Sequence, residues 1–214
     1  MHPFSSAGCR PCIRERILYV PVVYEGYERF SFPSFSALFG NARSVHMEYC
    51  SGNGEWIINK ALLFPEINYV AVEKKFDRVR RIHAKRVNQK VRNLFIVCGE
   101  AQTFTNYYVP DSSIDAVYVN FPDPWPKRRH AKHRLVKAPF MKEVGRIVKP
   151  GGTVSFVSDS REYIGEVKEE IGKTDGWRSF SFVTGEEYGS SYFERLWRAK
   201  GRDIHYLAYR RVCS

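Results

Sequence analysis

The chain has 214 residues, a hydrophobic content of 43% and a formal net charge of +11, so it is a globular protein and not a disordered polycation. Its apolar runs fall well short of the roughly 20 residues that a membrane-spanning helix needs, and its start lacks the apolar core of a signal peptide. We therefore expect no membrane partner and a cytoplasmic location. The positive charge instead predicts a polyanionic partner such as a nucleic acid.

The first forty residues contain many prolines and aromatic side chains but no clear periodic pattern. We interpret residues 1–40 as an arm or short helix packed on a core domain that comprises residues 41–214. Cys9 and Cys12 form a C-x-x-C half-site without a second pair or a histidine cluster. Half a site of this kind predicts neither a metal centre nor a disulfide framework.

From Ser44 onward, short strand patterns alternate with helical patterns. The predicted strands are 45–49, 69–73, 94–98, 114–120, 153–157 and 204–212, and the predicted helices are about 55–64, 76–88, 135–148 and 161–172. Strict alternation of this kind requires a parallel sheet with helices on both faces. The sequence thus predicts an α/β, Rossmann-like fold with a mostly parallel central sheet.

A glycine turn with Gly52 and Gly54 lies where the first strand of this pattern leads into the first helix. Glycines at that place let the backbone approach a ligand closely. The next strand ends in Glu73, 19 positions after Gly54, where dinucleotide-type folds place the acid that binds ribose hydroxyls. Glu48 and Glu100 add carboxylates to the same edge, and the turn carries no lysine. These charges favour a cationic nucleoside, S-adenosylmethionine, over a cofactor that carries phosphates.

The apolar run Ile114–Phe121 leads into Asp123, which has a proline on either side and is followed by Trp125. An acid beside flat, stiff walls is suited to holding a planar base, and the five Lys and Arg residues within 127–134 are suited to the surrounding phosphates. A strand end followed by a solvated basic loop is the alternative interpretation. Trp125 is equally compatible with a base pocket and with core packing.

A second basic run, Lys74–Arg92, holds nine Lys or Arg residues against the single acid Asp77. It predicts either contact with RNA or the solvated outer face of an amphipathic helix.

These motifs resemble the bacterial-type tRNA (guanine-N7-)-methyltransferase family, within the class I S-adenosylmethionine-dependent methyltransferases. The resemblance starts near Phe35 and rests on four blocks: Leu38–Asn41 with His46–Glu48 and the glycine turn, Phe121–Lys127 with Arg129–Arg134, Lys149–Gly152 with Ser158–Asp159, and Ser191–Glu194. It implies the class I methyltransferase fold and methylation of guanine N7 in the variable loop of tRNA. It also implies a monomer or weak homodimer without an obligate protein partner.

The resemblance assigns roles to individual residues. Asp123 would be the catalytic residue, and the S-adenosylmethionine site would comprise Glu48, Gly52, Gly54, Glu73, Glu100 and Asp123. Substrate contacts would come from Lys127, Asp159, Ser191, Tyr192, Phe193 and Glu194, and RNA contacts from Arg129, His130, Lys132, His133 and Arg134. The sequence departs from the family pattern at Cys50, where Gly is usual, at Glu100, where Asp or Asn is usual, and at Ser191, where Thr is usual.

Two other functions are compatible with parts of this pattern. Asp-Pro-Trp-Pro loosely resembles the signature of amino-methyltransferases that act on adenine or cytosine, although Trp125 separates two prolines that such enzymes place together. A non-catalytic RNA-binding protein on a decayed methyltransferase scaffold is the second alternative, and it is motivated by Cys50.

Overall fold

The computed structural model describes residues 10–21, 30–125, 127–181 and 188–212, without the side chain of Arg128. The chain divides into two compact units, Met1–Pro110 and Asp111–Ser214, which we call the N-terminal unit and the C-terminal unit.

The N-terminal unit is an α/β sheet with helices. Its strands are β1 (Cys12–Arg14), β2 (Ile17–Tyr19), β3 (Val45–Tyr49), β4 (Asn68–Glu73) and β5 (Leu94–Cys98), and its helices are α1 (Phe35–Phe39), α2 (Glu55–Leu63), α3 (Phe76–Asn88) and α4 (Ala101–Tyr108). The strand order is β1-β2-β5-β4-β3. Pairing is parallel from β2 to β3, and only β1 runs antiparallel to its neighbour.

Side-chain patterns explain these elements. Every residue of β4 and β5 is buried, as expected for parallel strands that are covered on both faces. Helix α3 buries Val79 and Ile82 and contacts β5, while its charged residues lie mostly on the other face. Gly99, just after β5, approaches the chain beyond β2 so closely that a Cβ would lie 2.6 Å from Cβ of Val20.

The C-terminal unit has a mixed sheet. Its strands are β6 (Ile114–Asn120), β7 (Val148–Ser158), β8 (Trp177–Ser179) and β9 (His205–Arg211), and its helices are α5 (Ala138–Ile147), α6 (Arg161–Gly172), α7 (Tyr192–Ala199) and a 3-10 helix (Arg128–His133). The strand order is β6-β7-β9-β8. Strands β6 and β7 are parallel, whereas β9 runs antiparallel to both β7 and β8.

Two boundaries differ from prediction for local reasons. Helix α5 begins at Ala138 and not near residue 135, because Pro139 stands in the first turn, where its fixed φ suits a helix start. The segment Lys149–Gly152 is not a turn that precedes the strand but an irregularity inside β7, where the register with β6 shifts. Gly152 is required there, because a Cβ would lie 2.8 Å from the carbonyl oxygen of Asp115.

The predicted strands 45–49, 94–98 and 114–120 and the predicted helices 76–88 and 161–172 are confirmed residue by residue. The β1–β2 hairpin, the short helices α4 and α7, and the edge strand β8 were not predicted, whereas α1 is the short helix that was one of the two expectations for residues 1–40. Strict alternation was also wrong near the C-terminus, where β9 returns antiparallel to β7.

Candidate active site

The turn between β3 and α2 holds three residues in the left-handed backbone region. Their φ angles are +61° at Cys50, +55° at Gly52 and +73° at Gly54. Glycine adopts this conformation without steric cost, whereas the Cβ of Cys50 makes it unfavourable. Gly54 has a further constraint, because a Cβ there would lie 2.6 Å from Cγ1 of Ile82.

Glu73, at the end of β4, holds the glycine turn in place. It is 4% exposed, and its carboxylate accepts hydrogen bonds from the backbone N–H of Gly52 at 2.9 Å and of Lys75 at 2.8 Å. The Arg78 guanidinium lies 3.6 Å away. Because each carboxylate oxygen has a second lone pair, Glu73 retains acceptor capacity for ribose hydroxyl groups.

The other two predicted cofactor acids differ in exposure. Glu48 lies one residue before the end of β3 and is 2% exposed. Glu100 is exposed at the start of α4, where its Oε2 accepts a hydrogen bond from Oγ1 of Thr103 at 3.2 Å. Glu73 and Cys98 are register partners at the ends of β4 and β5, so Glu73 and Glu100 leave adjacent strands at one edge.

The thiol of Cys98, the last residue of β5, lies at the same edge of the sheet. Burial, and secondly the negative charge of Glu73, raises the pKa of Cys98 to about 11. The thiol is therefore neutral at physiological pH and contributes packing without nucleophilic reactivity.

The loop after β6 presents Asp123 on a constrained backbone. Phe121 has a φ of +47° and Trp125 a φ of +43°, and both are bulky residues for which positive φ is rare. The backbone N–H of Phe121 donates to the carbonyl of Val157 at 2.8 Å, Pro122 is buried, and Asp123 itself is exposed. Strain of this kind concentrates at functional sites. Pro126, which belongs to the same motif, lies outside the described residues.

Arg134 holds the end of this loop from inside the C-terminal unit. Its Nε donates to the carbonyl of Pro124 at 2.6 Å and its Nη2 donates to the carbonyl of Trp125 at 3.2 Å. Its guanidinium also pairs with Glu162 and Glu166 and lies over the ring of Tyr163. Burial alone would lower the pKa of Arg134, but the hydrogen bonds to the two acids raise it.

The expected RNA contact of Arg134 does not fit this environment. Its side chain is only 2% exposed, and its donors are directed to carbonyls and carboxylates of the same unit. A phosphate would have to displace two carboxylates to reach it. Arg134 is therefore a residue that positions the loop, and its charge is already balanced.

The remaining residues of the first basic run fall into two groups. His130 and His133 pack against Trp125, with ring centroids 5.8 and 5.3 Å from the indole. Among the side chains of this run that the structure describes, the exposed cations are Lys127, Arg129 and Lys132.

The segment Ser191–Glu194 forms the start of α7. The backbone N–H of Glu194 donates to Oγ of Ser191 at 3.1 Å, which makes Ser191 the N-cap. Glu194 is 8% exposed and accepts hydrogen bonds from Arg198 and from the hydroxyl of Tyr206. Tyr192 is exposed, whereas the Phe193 ring lies 6.3 Å from that of Phe121. Ser191 and Glu194 are thus engaged in the helix itself, and Tyr192 has the accessible side chain.

Asp159, just after β7, forms an ion pair with Arg202 at 2.5 Å. Its side chain is only 8% exposed, so the Asp159 carboxylate is buried in this ion pair.

Sequence reasoning missed the supporting role of Arg134, which was expected to contact RNA, and it did not single out Arg202, Tyr188 or Tyr206. Tyr188 is one such support, because its hydroxyl donates to Oδ1 of the buried Asn120 at the end of β6. A usable signal existed for Arg134. Glu162 and Glu166 are one helical turn apart on the predicted helix 161–172 and therefore face the same way.

Among the described residues no cluster of His, Cys, Asp and Glu has the geometry of a metal site. Cys9 of the C-x-x-C lies outside the described ranges, and Cys12 begins β1. Within those ranges no helix is long and apolar enough to cross a membrane.

Comparison with known proteins decides the family. A family model described as "Putative methyltransferase" matches residues 42–207. A tRNA (guanine-N(7)-)-methyltransferase of Chlamydia muridarum is 46% identical over 197 residues, which cover 91% of this chain and 88% of that protein. A second such enzyme, of Chlamydia pneumoniae, is 40% identical over 97% of this chain and 94% of that protein. The chain belongs to the tRNA (guanine-N7-)-methyltransferase family.

Solved structures establish the fold for this member of the family. The 16S rRNA methyltransferase KamB superposes with a TM-score of 0.63 at 16% identity and covers 87% of this chain and 98% of its own. The phosphoethanolamine N-methyltransferase 2 of Haemonchus contortus, solved with S-adenosyl-L-methionine, gives a TM-score of 0.55 at 13% identity over 82% of this chain and 50% of its own. The α/β, Rossmann-like methyltransferase fold is confirmed.

Proposed function

We propose that this chain transfers a methyl group from S-adenosylmethionine to N7 of a guanine in tRNA and so forms 7-methylguanosine. Family membership, at 40–46% identity over more than nine-tenths of the chain, is the observation that supports the reaction. The variable loop as the target is part of the proposal, as are action without an obligate protein partner and a cytoplasmic location.

The residues of the N-terminal unit fit S-adenosylmethionine. Glu73 retains lone pairs for ribose hydroxyls, Gly52 and Gly54 keep the turn free of side-chain bulk, and the buried Glu48 supplies negative potential for a cationic ligand. Glu100 provides an exposed acceptor for the nucleoside. When bound, the cofactor supplies an electrophilic methyl group on a sulfonium.

Asp123 has an electrostatic role in this proposal. Guanine N7 carries a free lone pair and no proton, so the reaction needs no general base. Positive charge develops on the guanine ring during transfer, and a fixed carboxylate stabilises it and accepts hydrogen bonds from the N–H groups of the base. The left-handed residues Phe121 and Trp125 on either side fix the backbone that carries this carboxylate.

The exposed cations of the first basic run are assigned to the RNA backbone. Lys127, Arg129 and Lys132 face solvent directly after the Asp123 loop, where they can neutralise phosphates that flank the target base. His130 and His133 contribute through their packing on Trp125.

The predicted substrate residues after β7 and at the start of α7 are assigned according to their surroundings. Tyr192 is an exposed ring that can stack on a base, and Phe193 supports the Asp123 loop through Phe121. Ser191, Glu194 and Asp159 hold that region in shape through the N-cap and the two ion pairs with arginine.

The test is incubation of the purified protein with bulk tRNA and isotopically labelled S-adenosylmethionine, followed by nuclease digestion and mass spectrometry of the nucleosides. The expected product is labelled 7-methylguanosine. Label on an exocyclic amine of adenine or cytosine would establish the amino-methyltransferase alternative. Absence of both product and calorimetric S-adenosylmethionine binding would establish a non-catalytic scaffold.

The role of Asp123 has its own test. Asp123→Ala should lower kcat by about 10²–10³-fold, the loss typical when one preorganised electrostatic group is removed. Binding of tRNA should persist, because the exposed cations are unchanged. Retained turnover would contradict the assignment.

A further inference from the structure

A pocket distinct from the candidate active site lies at the opposite edge of the N-terminal sheet from the glycine turn. It has a volume of about 500 Å³ and is bordered by the segments that lead into β3, β4 and β5. The glycine turn, Glu73 and Glu100 lie at the other ends of the same strands. Because β4 has six residues, the two edges are separated by about 20 Å, at roughly 3.3 Å per residue.

The charge of this pocket is one-sided. Four of its twelve lining residues are cations (Arg16, Arg43, Lys90 and Arg92), and none is an acid. The pKa of the nearby Arg86 is lowered, firstly by burial and secondly by the positive charge of Arg16. This concentration of positive charge favours an anionic ligand.

Internal contacts use little of the donor capacity of these cations. Arg16 donates from Nη1 to the carbonyl of Arg92 at 2.8 Å, and Arg43 donates from Nη1 to the carbonyl of Pro65 at 2.9 Å. Each guanidinium has five N–H donors. Among the described residues, Lys90 and Arg92 have no side-chain ion pair.

The cations are not needed to cap the helix that ends at the pocket. Nδ2 of Asn93 donates to the carbonyl of Ala61 in the last turn of α2 at 2.9 Å and lies 3.2 and 2.8 Å from the carbonyls of Phe64 and Ile67, which follow that helix. Apart from the carbonyls of Arg92 and Pro65, the side chains of the four cations have no hydrogen-bond acceptor among the described residues.

Asn68, which lines the pocket, has a buried side-chain acceptor without a partner among the described residues. Asn68 is 1% exposed and donates from Nδ2 to Oδ1 of Asn41 at 2.8 Å, but its own Oδ1 has no hydrogen-bond partner among the described residues. A buried carbonyl oxygen in this state is costly unless a ligand or water donates to it. Because Oδ1 of Asn68 has less than 1 Å² of accessible surface, a ligand in the open pocket does not contact it, and the cations alone define the ligand as an anion.

We propose that this pocket binds the phosphate group of a nucleotide unit on its four cations. The source of this phosphate is the RNA backbone. The pocket is about 20 Å from the edge where the cofactor acids lie, at a rise of roughly 3.3 Å per strand residue. This choice of source rests on the proposed function, whereas the chemistry of the pocket does not. The second basic run then has a divided role, because Lys90 and Arg92 bind phosphate while the outward residues of α3 are solvated.

The first test is tRNA binding as a function of salt. K90Q/R92Q removes two cations whose side chains form no hydrogen bond or ion pair with the described residues, so the fold should be unaffected in a thermal melt. The slope of log K against log salt should flatten by roughly 1.5–2 for two lost phosphate contacts. R14Q/R80Q, which removes two exposed cations of the same unit outside the pocket, is the matched control and should leave the slope unchanged.

The second test uses AMP by titration calorimetry, with saturating S-adenosylhomocysteine to occupy the cofactor site. AMP should bind the native protein and R14Q/R80Q, K90Q/R92Q should weaken it at least tenfold, and adenosine, which lacks the phosphate, should not bind. A flattened slope in the first test identifies the RNA backbone as the source. AMP binding with an unchanged slope supports the same site with a free nucleotide as its ligand.

The proposal is overturned if AMP does not bind and K90Q/R92Q has the same slope as R14Q/R80Q. Failure of the proposed function would be seen separately, as the absence of 7-methylguanosine in the nucleoside digest. The AMP titration would still report on the pocket in that case.

Discussion

The glycine turn at 50–54 and the Asp123 loop at 121–125 both contain non-glycine residues in the left-handed region, but side chains of opposite charge hold them. The carboxylate of Glu73 accepts from a backbone N–H of the turn, whereas the guanidinium of Arg134 donates to two backbone carbonyls of the loop. Each unit thus uses a buried charge to fix a strained backbone. The difference is that the carboxylate of Glu73 retains lone pairs for a ligand, whereas the charge of Arg134 is neutralised by Glu162 and Glu166.

Of the changes that test this comparison, breaking the arginine support should have the largest effect. Arg134→Met removes both carbonyl contacts, so we expect kcat to fall by about 100-fold as the loop that carries Asp123 shifts. The free energy of unfolding should fall by roughly 2–3 kcal/mol. Steady-state kinetics with a urea melt checks both.

Arg134→Lys is the matched variant for this experiment. It keeps the charge but cannot span two carbonyls and two carboxylates, so it should rescue stability more than kcat. A purely structural role would instead restore both in proportion, and an RNA contact would show as a rise in KM with kcat unchanged.

Breaking the carboxylate support should have a smaller effect on stability. Glu73→Gln replaces one acceptor oxygen by an N–H₂ group that faces a backbone N–H, which should cost about 1–3 kcal/mol. Affinity for S-adenosylmethionine should fall as well, as measured by calorimetry. Glu100→Gln is the control, because Glu100 is exposed and should change stability by less than about 0.5 kcal/mol. Equal stability of the two variants would contradict the role of Glu73 as the support of the turn.

Relieving strain in the turn should have the opposite sign. Cys50→Gly removes a Cβ at a φ of +61° and should raise the free energy of unfolding by about 0.5–1 kcal/mol. Cys50→Ala keeps the Cβ and should give no such gain. A thermal melt of the two variants decides, and equal melting temperatures would show that the turn is not strained at this residue.

The smallest effect is expected for a cation beside Arg134 that faces solvent. Lys132→Gln should flatten the salt dependence of tRNA binding by roughly one unit. Its stability should stay within about 0.5 kcal/mol of the native value. An unchanged slope would show that Lys132 does not contact phosphate. It would also contradict the distinction between Lys132 as an RNA contact and Arg134 as a residue that positions the loop.

Much of the fold was predictable because period and burial agree along the chain. The strands at 45–49 and 94–98 and the helix at 76–88 are long, buried on a regular pattern and bounded by turn residues. The hairpin β1–β2 escaped prediction because its strands have three residues each and derive their stability from pairing with β5, which lies some 80 positions further on. Helix α7 escaped because it has only eight residues, and only the Ser191 cap and Glu194 mark its start.

The candidate site was predictable at the level of motifs but not of partners. The position of Glu73 after its strand predicts an acid at the strand edge, and the structure adds the hydrogen bond to Gly52. Charge density in the run 127–134 predicts phosphate contact for every cation, because a linear pattern does not tell which side chains turn inward. Arg134 turns inward, and only the position of α6 in the folded unit determines that.

The β1–β2 hairpin has a consequence for how the chain avoids aggregation. Strand β5, Leu-Phe-Ile-Val-Cys, is the type of segment that would recruit another chain if its backbone were exposed at a sheet border. The hairpin covers that border, and the new outermost strand is only three residues long and carries the exposed Arg14. A chain shortened by its first nineteen residues would therefore expose the backbone of β5 at the sheet border. Such a chain should aggregate even though it keeps every residue of the candidate active site.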